Sequence, residues 1–298
     1  MEFIPPPQGS APSEQSTGHP NPPTNTDDTK PADKSQAALN SLATAQPDAW
    51  QRYKNGQLAE VVKLCSKSDS ADSLQLLGLA LHDLGRPLEA ADAFEKASLL
   101  CPVQDEVRIA LASCYAQLRR IDLARELYLQ LALSRRLSPT LMLQVAAGLE
   151  AIDAPQLAMQ VCEWITEQDE HVAQAYYDMG YYSARSGQPL YMTEALTCRA
   201  LQLDPANVHY RIGLVSLLIQ LDREDEAAQA MQPLSVLDIR RVTCVSCLTR
   251  IATVLARKDM SQLAEACVTR ADLLRQSKEA TSNNSTGSSN PIDTEGKR

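Results

Sequence analysis

Small side chains recur along this chain at a fixed interval. Gly78, Ala112, Ala146 and Gly180 stand 34 residues apart, and Ala90, Ala124 and Ala158 keep the same step, as do Phe94, Tyr128 and Cys162. Residues this small are needed where two helix backbones approach closely, and larger ones fill the space on either side. A period of 34 holds two antiparallel helices of about 13 residues and two short turns. Between the marker positions, apolar residues follow i, i+3, i+4 and i+7 with little β-branched alternation, which predicts helix nearly throughout. Breaks fall at "LGRP" (84–87), "LRRI" (118–121), "AIDAP" (151–155), "RSGQP" (185–189) and "LDRE" (221–224). Breaks this regular are the mark of an internal repeat.

The two ends lack the pattern. Residues 1–46, beginning "MEFIPPPQGS", are rich in Pro, Ser, Thr, Gln and Asn. They hold too few large apolar groups to offset the entropy lost on ordering. Residues 279–298 read the same way, so two disordered tails are expected around a helical repeat domain at 47–278. "FIPPP" has the form of a polyproline ligand, a form also common in linkers. Across the 298 residues the apolar share is 44%, enough for a sizeable core.

No run of about 20 apolar residues occurs, so no membrane-spanning helix is predicted. The N-terminus lacks a basic start followed by an apolar segment, which argues against a secretory signal. The sequons "NNS" and "NST" within 283–286 then carry no weight. Most of the eight cysteines lie in amphipathic stretches such as "VVKLCSK" and "AMQVCEWI". They read as small buried hydrophobes in a reducing, cytoplasmic setting. A net charge of −9 argues against general nucleic-acid affinity.

The segment "SLQLLGLALHDLGRPLEAADAFEKASLLCP" (73–102) resembles a tetratricopeptide repeat: Leu77-Gly78, Leu81, Gly85, Ala90, Phe94, Ala97 and Pro102 match that family's pattern in type and spacing. About six such units can be laid out from residue 71 to 278, after a weak partial one at 47–70. Pro205 follows Pro102 by 103 residues, three repeats plus one inserted residue. Val215 with Ala227 and Ala252 with Ala264 mark the last two units, whose spacing of 37 predicts a longer loop near 233–243. Pro233 also falls where the family would continue a helix. The implied fold is all-α, a right-handed superhelical solenoid of antiparallel helix pairs.

The resemblance further implies a protein-binding scaffold or chaperone-like protein that holds a peptide or amphipathic helix in a groove formed by the first helix of each pair. Carried over, the groove positions are Gln75, Leu79 and Asp83, then Ile109, Ser113 and Gln117, then Leu143, Ala147 and Ala151. Tyr177, Tyr181 and Arg185 come next, followed by Ile212, Ser216 and Gln220, and by Thr249, Thr253 and Arg257. Chaperone-adaptor members grip a terminal carboxylate with Lys and Asn here; this chain has Gln75, Leu79, Ile109 and Ser113 instead, so that clamp is not expected. The central groove is expected to be apolar and aromatic, which suits an amphipathic helix or hydrophobic peptide. Tyr177 and Tyr181, from the tyrosine-rich stretch 175–191, are its candidate anchors, with packing between repeats as the other reading. Tyr176 is expected in a core place, Tyr182 against a neighbouring repeat, and Tyr191 in a turn that contains the inserted residue.

Other chemistry is sparse. Cys244 and Cys247 form the one C-x-x-C, with Arg240 and Arg241 just before it. A structural zinc site needs four ligands, and no second pair exists; a thiol-redox or metal role therefore stands as the alternative to simple helix packing. His19, His82, His171 and His209 form no cluster at ligand spacing, and no phosphate loop or hydrolase motif occurs, so neither an enzyme nor a cofactor is expected. From Arg240 to Lys278, eight Lys or Arg face three acids, which reads as a solvated end surface or a dock for an acidic partner. Self-association, with an end or tail of one copy in the groove of another, is a third functional reading.

Overall fold

A computed structural model describes residues 46–286, with side chains through residue 277. The two expected tails lie outside the described residues except for Gln46 and 279–286. The fold is all-α, a helical-repeat solenoid with no strand among the described residues. Its helices are α1 (Pro47–Lys54), α2 (Leu58–Cys65), α3 (Ala71–Asp83), α4 (Pro87–Leu100), α5 (Asp105–Gln117), α6 (Ile121–Leu133), α7 (Pro139–Ala151) and α8 (Pro155–Gln168). They continue as α9 (Ala173–Arg185), α10 (Leu190–Leu203), α11 (Val208–Gln220), α12 (Glu224–Met231), α13 (Val236–Ile239), α14 (Val245–Arg257) and α15 (Ser261–Thr286).

Helix starts follow local chemistry. Pro87, Pro139 and Pro155 open α4, α7 and α8, where a missing N–H costs nothing. Ser70 and Ser138 accept N–H groups of the first turns of α3 and α7, and Asn207 does so for α11. Helix ends are more uniform still. Gly85, Arg119, Asp153, Gly187, Asp222 and Asp259 all have φ between 57° and 74°, each in the turn inside a pair. Their separations are 34, 34, 34, 35 and 37 residues. The next residue's N–H commonly reaches back to close the helix end, as in Arg86 to Leu81 (2.9 Å), Arg120 to Tyr115 (2.8 Å) and Arg223 to Leu218 (2.9 Å). These are the Schellman-type bonds that a left-handed residue permits.

That series locates the inserted residue. Second helices begin two residues after the left-handed one, at Pro87, Ile121, Pro155, Glu224 and Ser261; α10 begins three after Gly187. Tyr191 is the second residue of α10 and is exposed. The longer stretch at 233–243 is also present. α12 stops at Met231, two residues before Pro233, and the short α13 that follows is fixed by a reciprocal Ser235–Asp238 capping box.

The described chain divides into two compact units between Ser186 and Gly187. In the first, the small marker residues are where the period demands them. Gly78, Ala112, Ala146 and Gly180 are buried, and Ala90, Ala124 and Ala158 are wholly enclosed. A Cβ on Gly78 would lie 2.4 Å from the Phe94 ring, so the close approach of α3 and α4 depends on hydrogen at that position. Tyr128 occupies the place equivalent to Phe94, but its longer ring reaches Gly148 of the following pair, where a Cβ would meet it at 2.2 Å. In the second unit one core joins α11, α12, α14 and α15 through Ile212, Val215, Met231, Leu248, Ile251 and Cys267.

Candidate functional site

The stripe on the first helices of the initial unit is partly floor and partly surface. Gln75, Leu79, Ile109, Tyr177 and Tyr181 are buried. Ser113 and Leu143 are half-buried, and Asp83, Gln117, Ala147, Ala151 and Arg185 are exposed. Tyr177 exposes no surface at all, so in this structure its ring packs. Tyr181 retains 9% exposure and stacks edge-on against the enclosed Tyr182, with ring centroids 5.5 Å apart. Tyr176 is half-buried beside the buried Met179. The solvent-facing part of the stripe is therefore small and not aromatic: a methyl-lined strip at Ala147 and Ala151, with polar Gln117 and Arg185 on either side.

Polar members are tied from pair to pair. His82 Nε2 lies 3.2 Å from Ser113 Oγ, and Gln117 donates to the same oxygen at 3.3 Å. The Tyr53 hydroxyl donates to Asp83 at 2.7 Å, and His82 Nδ1 also lies 3.1 Å from that carboxylate. Burial alone would push the Asp83 carboxyl up; the His82 and Tyr53 hydrogen bonds outweigh it and leave the group below the usual carboxylate range. Farther along, the Tyr181 hydroxyl donates to Glu150 at 3.2 Å, and Arg185 bridges Glu150 and Asp153 at 3.3 Å each. Burial, then the Glu150 charge, raises the Tyr181 phenol. In the second unit Ile212 and Ser216 are enclosed, Gln220 is half-buried, and Thr249, Thr253 and Arg257 are exposed.

Behind the tyrosine part of the stripe sits a carboxyl that the sequence reading did not single out. Asp178 is 3% exposed and accepts a hydrogen bond from Gln174. Burial dominates and pushes its pKa up to about 8, against which the Gln174 bond is a minor opposing effect. The group is largely neutral at pH 7. Burial, with the Asp178 charge adding, also raises the thiol of enclosed Cys162 and the phenol of Tyr182.

In the second unit, Cys244 is the N-cap of α14, and Cys247 lies in its first turn. The two sulfurs are 2.7 Å apart. The Cys247 N–H points at Cys244 Sγ at 3.4 Å. Cys244 is half-buried and lines a cavity of about 290 Å³ together with Asn207, His209, Ile212 and Arg241. Cys247 is enclosed, and its hydrogen bond with Cys244 and its burial hold that thiol far above the ordinary range. Among the described residues no group of three or more His, Cys, Asp or Glu is placed to hold a metal ion. The basic end is substantially paired: Arg257 and Lys258 bridge Glu224 and Asp225, Arg275 bridges Asp272, and Arg270 donates to the Val242 carbonyl.

The family model for the tetratricopeptide repeat matches residues 71–104. Residues 71–104 form a tetratricopeptide repeat. Solved structures extend the likeness in fold to most of the chain. A tetratricopeptide repeat protein from Parabacteroides merdae aligns with 83% of this chain and 97% of its own at 13% identity and a TM-score of 0.57. The APC/C hetero-tetramer Cut9–Hcn1 aligns with 83% of this chain and 52% of its own at 15% identity and a TM-score of 0.52. PilF of Pseudomonas aeruginosa aligns with 72% and 96% at 17% identity and a TM-score of 0.50. No curated protein matches the chain in sequence.

The tetratricopeptide repeat at 71–104 comprises α3 and α4, and its Phe94 fills the pocket beneath Gly78. Later repeats keep the enclosed place with Tyr128, Cys162, Thr197 and Met231, each buried although their chemistry differs. Two participants escaped the sequence reading. Gly148 lies outside the 34-residue series, and Asp178 lies in an enclosed turn of α9 beside its partner Gln174. The glycine beside a tyrosine-for-phenylalanine change was a readable signal for the first; a charged residue between two tyrosines was one for the second. The described helices include none long and apolar enough to cross a membrane.

Proposed function

We propose that this chain is a non-catalytic protein-interaction scaffold whose partner, a peptide or amphipathic helix, lies along the first helices of the repeats. The observation that carries this reading is the stripe at α5, α7 and α9. There Ala147 and Ala151 leave backbone-close space on an exposed helix face, between Gln117, held by Ser113 of its own helix, and Arg185, held by Glu150 and Asp153 of the preceding pair. A surface held in place before binding loses little entropy when a partner arrives. Asp83, Ser113, Gln117, Leu143 and Arg185 make contact in this reading, while Gln75, Leu79, Ile109, Tyr177 and Tyr181 form the floor and set its shape. A chaperone-like role would use the same surface, and self-association would place a second copy there. A cytoplasmic setting agrees with Cys65, Cys114, Cys162, Cys247 and Cys267 serving as buried core members.

The test is affinity capture with the full chain and with Ala147→Arg/Ala151→Arg. Both alanines are exposed, so the double variant keeps the fold by circular dichroism while filling the strip. Loss of bound proteins from the folded variant is the expected result. Retention of every partner sinks the proposal, and sedimentation of the purified chain separates a second copy from a foreign protein.

A further inference from the structure

We propose that Cys244 and Cys247 form a redox-active dithiol that exchanges with small anionic disulfides admitted by the cavity beside α14. The inference stands on the second unit alone and does not depend on the scaffold reading. Three observations meet at one place. The sulfurs are 2.7 Å apart, inside ordinary non-bonded contact, so closing a disulfide of about 2.05 Å needs only a small side-chain movement. Cys244 caps a 13-residue helix, and its sulfur faces the N–H of Cys247 in the first turn at 3.4 Å. Cys244 lines a cavity of about 290 Å³ whose walls also include Arg241, a guanidinium able to receive a carboxylate.

The division of labour follows from burial. Cys244 is the half-exposed member and can meet an incoming molecule; Cys247 is enclosed and can meet only Cys244. Contact with Cys244 and burial raise the Cys247 thiol, so it stays protonated in the reduced pair. In the first step the Cys244 thiolate attacks one sulfur of a disulfide RSSR. A Cys244–SR bond forms, the S–S bond of RSSR breaks, and RS⁻ leaves and takes up the proton given by Cys244. In the second step Cys247, losing its proton, attacks Cys244 Sγ; the Cys244–Cys247 bond forms and a second RSH leaves. The dithiol is oxidised by two electrons and RSSR is reduced to two RSH. Other cysteines lack this combination: Cys65, Cys114, Cys162 and Cys267 are buried in cores, and burial raises each of their thiols.

The experiment uses the full chain with glutathione disulfide as the probe. After acid quench, denaturing alkylation and trypsin, residues 242–250 ("VTCVSCLTR") emerge as one peptide that contains both cysteines. Its expected form is two hydrogens lighter and unalkylated, while peptides bearing Cys65, Cys114, Cys162 and Cys267 are fully alkylated. Before oxidation, Cys244 should react with iodoacetamide about tenfold faster than the half-exposed Cys101 and Cys198. In Cys247→Ser a single glutathione adduct should accumulate on Cys244, and in Cys244→Ser neither product should form. A 242–250 peptide that stays doubly alkylated in excess glutathione disulfide overturns the proposal. So does an alkylation rate at Cys244 no greater than at Cys101. Should Cys247→Ser fail to fold, the two measurements on the unaltered chain still decide.

Discussion

The two units handle the same period differently. In residues 46–186 the left-handed turn residue returns every 34 positions from Gly85 to Asp153, and side-chain identity drifts around a fixed backbone register. In residues 187–286 the intervals lengthen to 35 and 37, a helix is cut to eight residues before Pro233, and a capped four-residue helix fills the gap. The first unit uses its regularity to repeat one surface stripe. The second uses its irregularity to open a cavity under a helix N-terminus. A strict repeat can present the same face many times, whereas a pocket with two facing thiols requires a departure from it.

The sharpest way to break the comparison is to remove the side chain on which the regular unit turns. Phe94→Ala should cost about 4 kcal/mol in urea denaturation, because the ring is wholly enclosed and the cavity beneath Gly78 cannot fully collapse. Gly78→Ala alone should destabilise by about 2 kcal/mol through overlap with that ring, and by much less in a Phe94→Leu background. Additive costs in that cycle would mean that the glycine serves something other than the ring.

Next in size is the buried carboxyl. Asp178 has a folded-state pKa of about 8, above its value in the unfolded chain, so the folded state holds the extra proton. Its contribution is complete below the unfolded pKa of about 4 and is lost as pH rises through about 8. Asp178→Asn should therefore be near neutral at pH 4 and gain on the original as pH rises, until it is clearly the more stable protein above pH 8. Parallel pH–stability curves for the two proteins would show that the carboxyl titrates alike in the folded and unfolded states.

Smaller effects probe the turn series. Gly85→Ala, at φ 69°, should cost about 1 kcal/mol, and Arg119→Gly, at φ 60°, should gain about 0.5 kcal/mol in thermal or urea melts. Equal and opposite responses at positions 34 apart would sharpen the view that backbone geometry, not residue identity, defines the repeat. Least of all, Arg135→Ala should shift stability by no more than about 0.5 kcal/mol, although Arg135 meets Glu167 at 3.3 Å and the Trp164 ring at 5.0 Å, because it is half exposed.

Most of the fold was legible because close packing leaves a mark in residue size: small residues at 78, 112, 146 and 180 can be counted without coordinates. The turn breaks were legible for a similar reason, and each of the five quoted breaks contains the left-handed residue. The stripe was less so. Position in a repeat tells which way a side chain starts, but its final exposure depends on what else fills the space. Tyr177 and Tyr181 stand at groove places and are nonetheless enclosed or nearly so, while Ala147 and Ala151 form the open surface. Asp178 was illegible as a buried group because a lone carboxylate on a helix ordinarily signals solvent. The approach of Cys244 to Cys247 follows from C-x-x-C at a helix start, but the cavity beside it needed the chain from Ala206 to Thr243 in place.

The left-handed turn residues also define units of exchange. A segment running from Gly85 to Arg119, or from Arg119 to Asp153, begins and ends in the same backbone state after the same number of residues. Duplicating or deleting one such segment returns the chain to its starting phase, so the next helix meets its neighbour at the usual angle. Segments that cross Gly187 or Asp222 do not close on themselves in this way. The first unit can thus grow or shrink by whole repeats, while the pairs that follow Gly187 must be inherited as one piece.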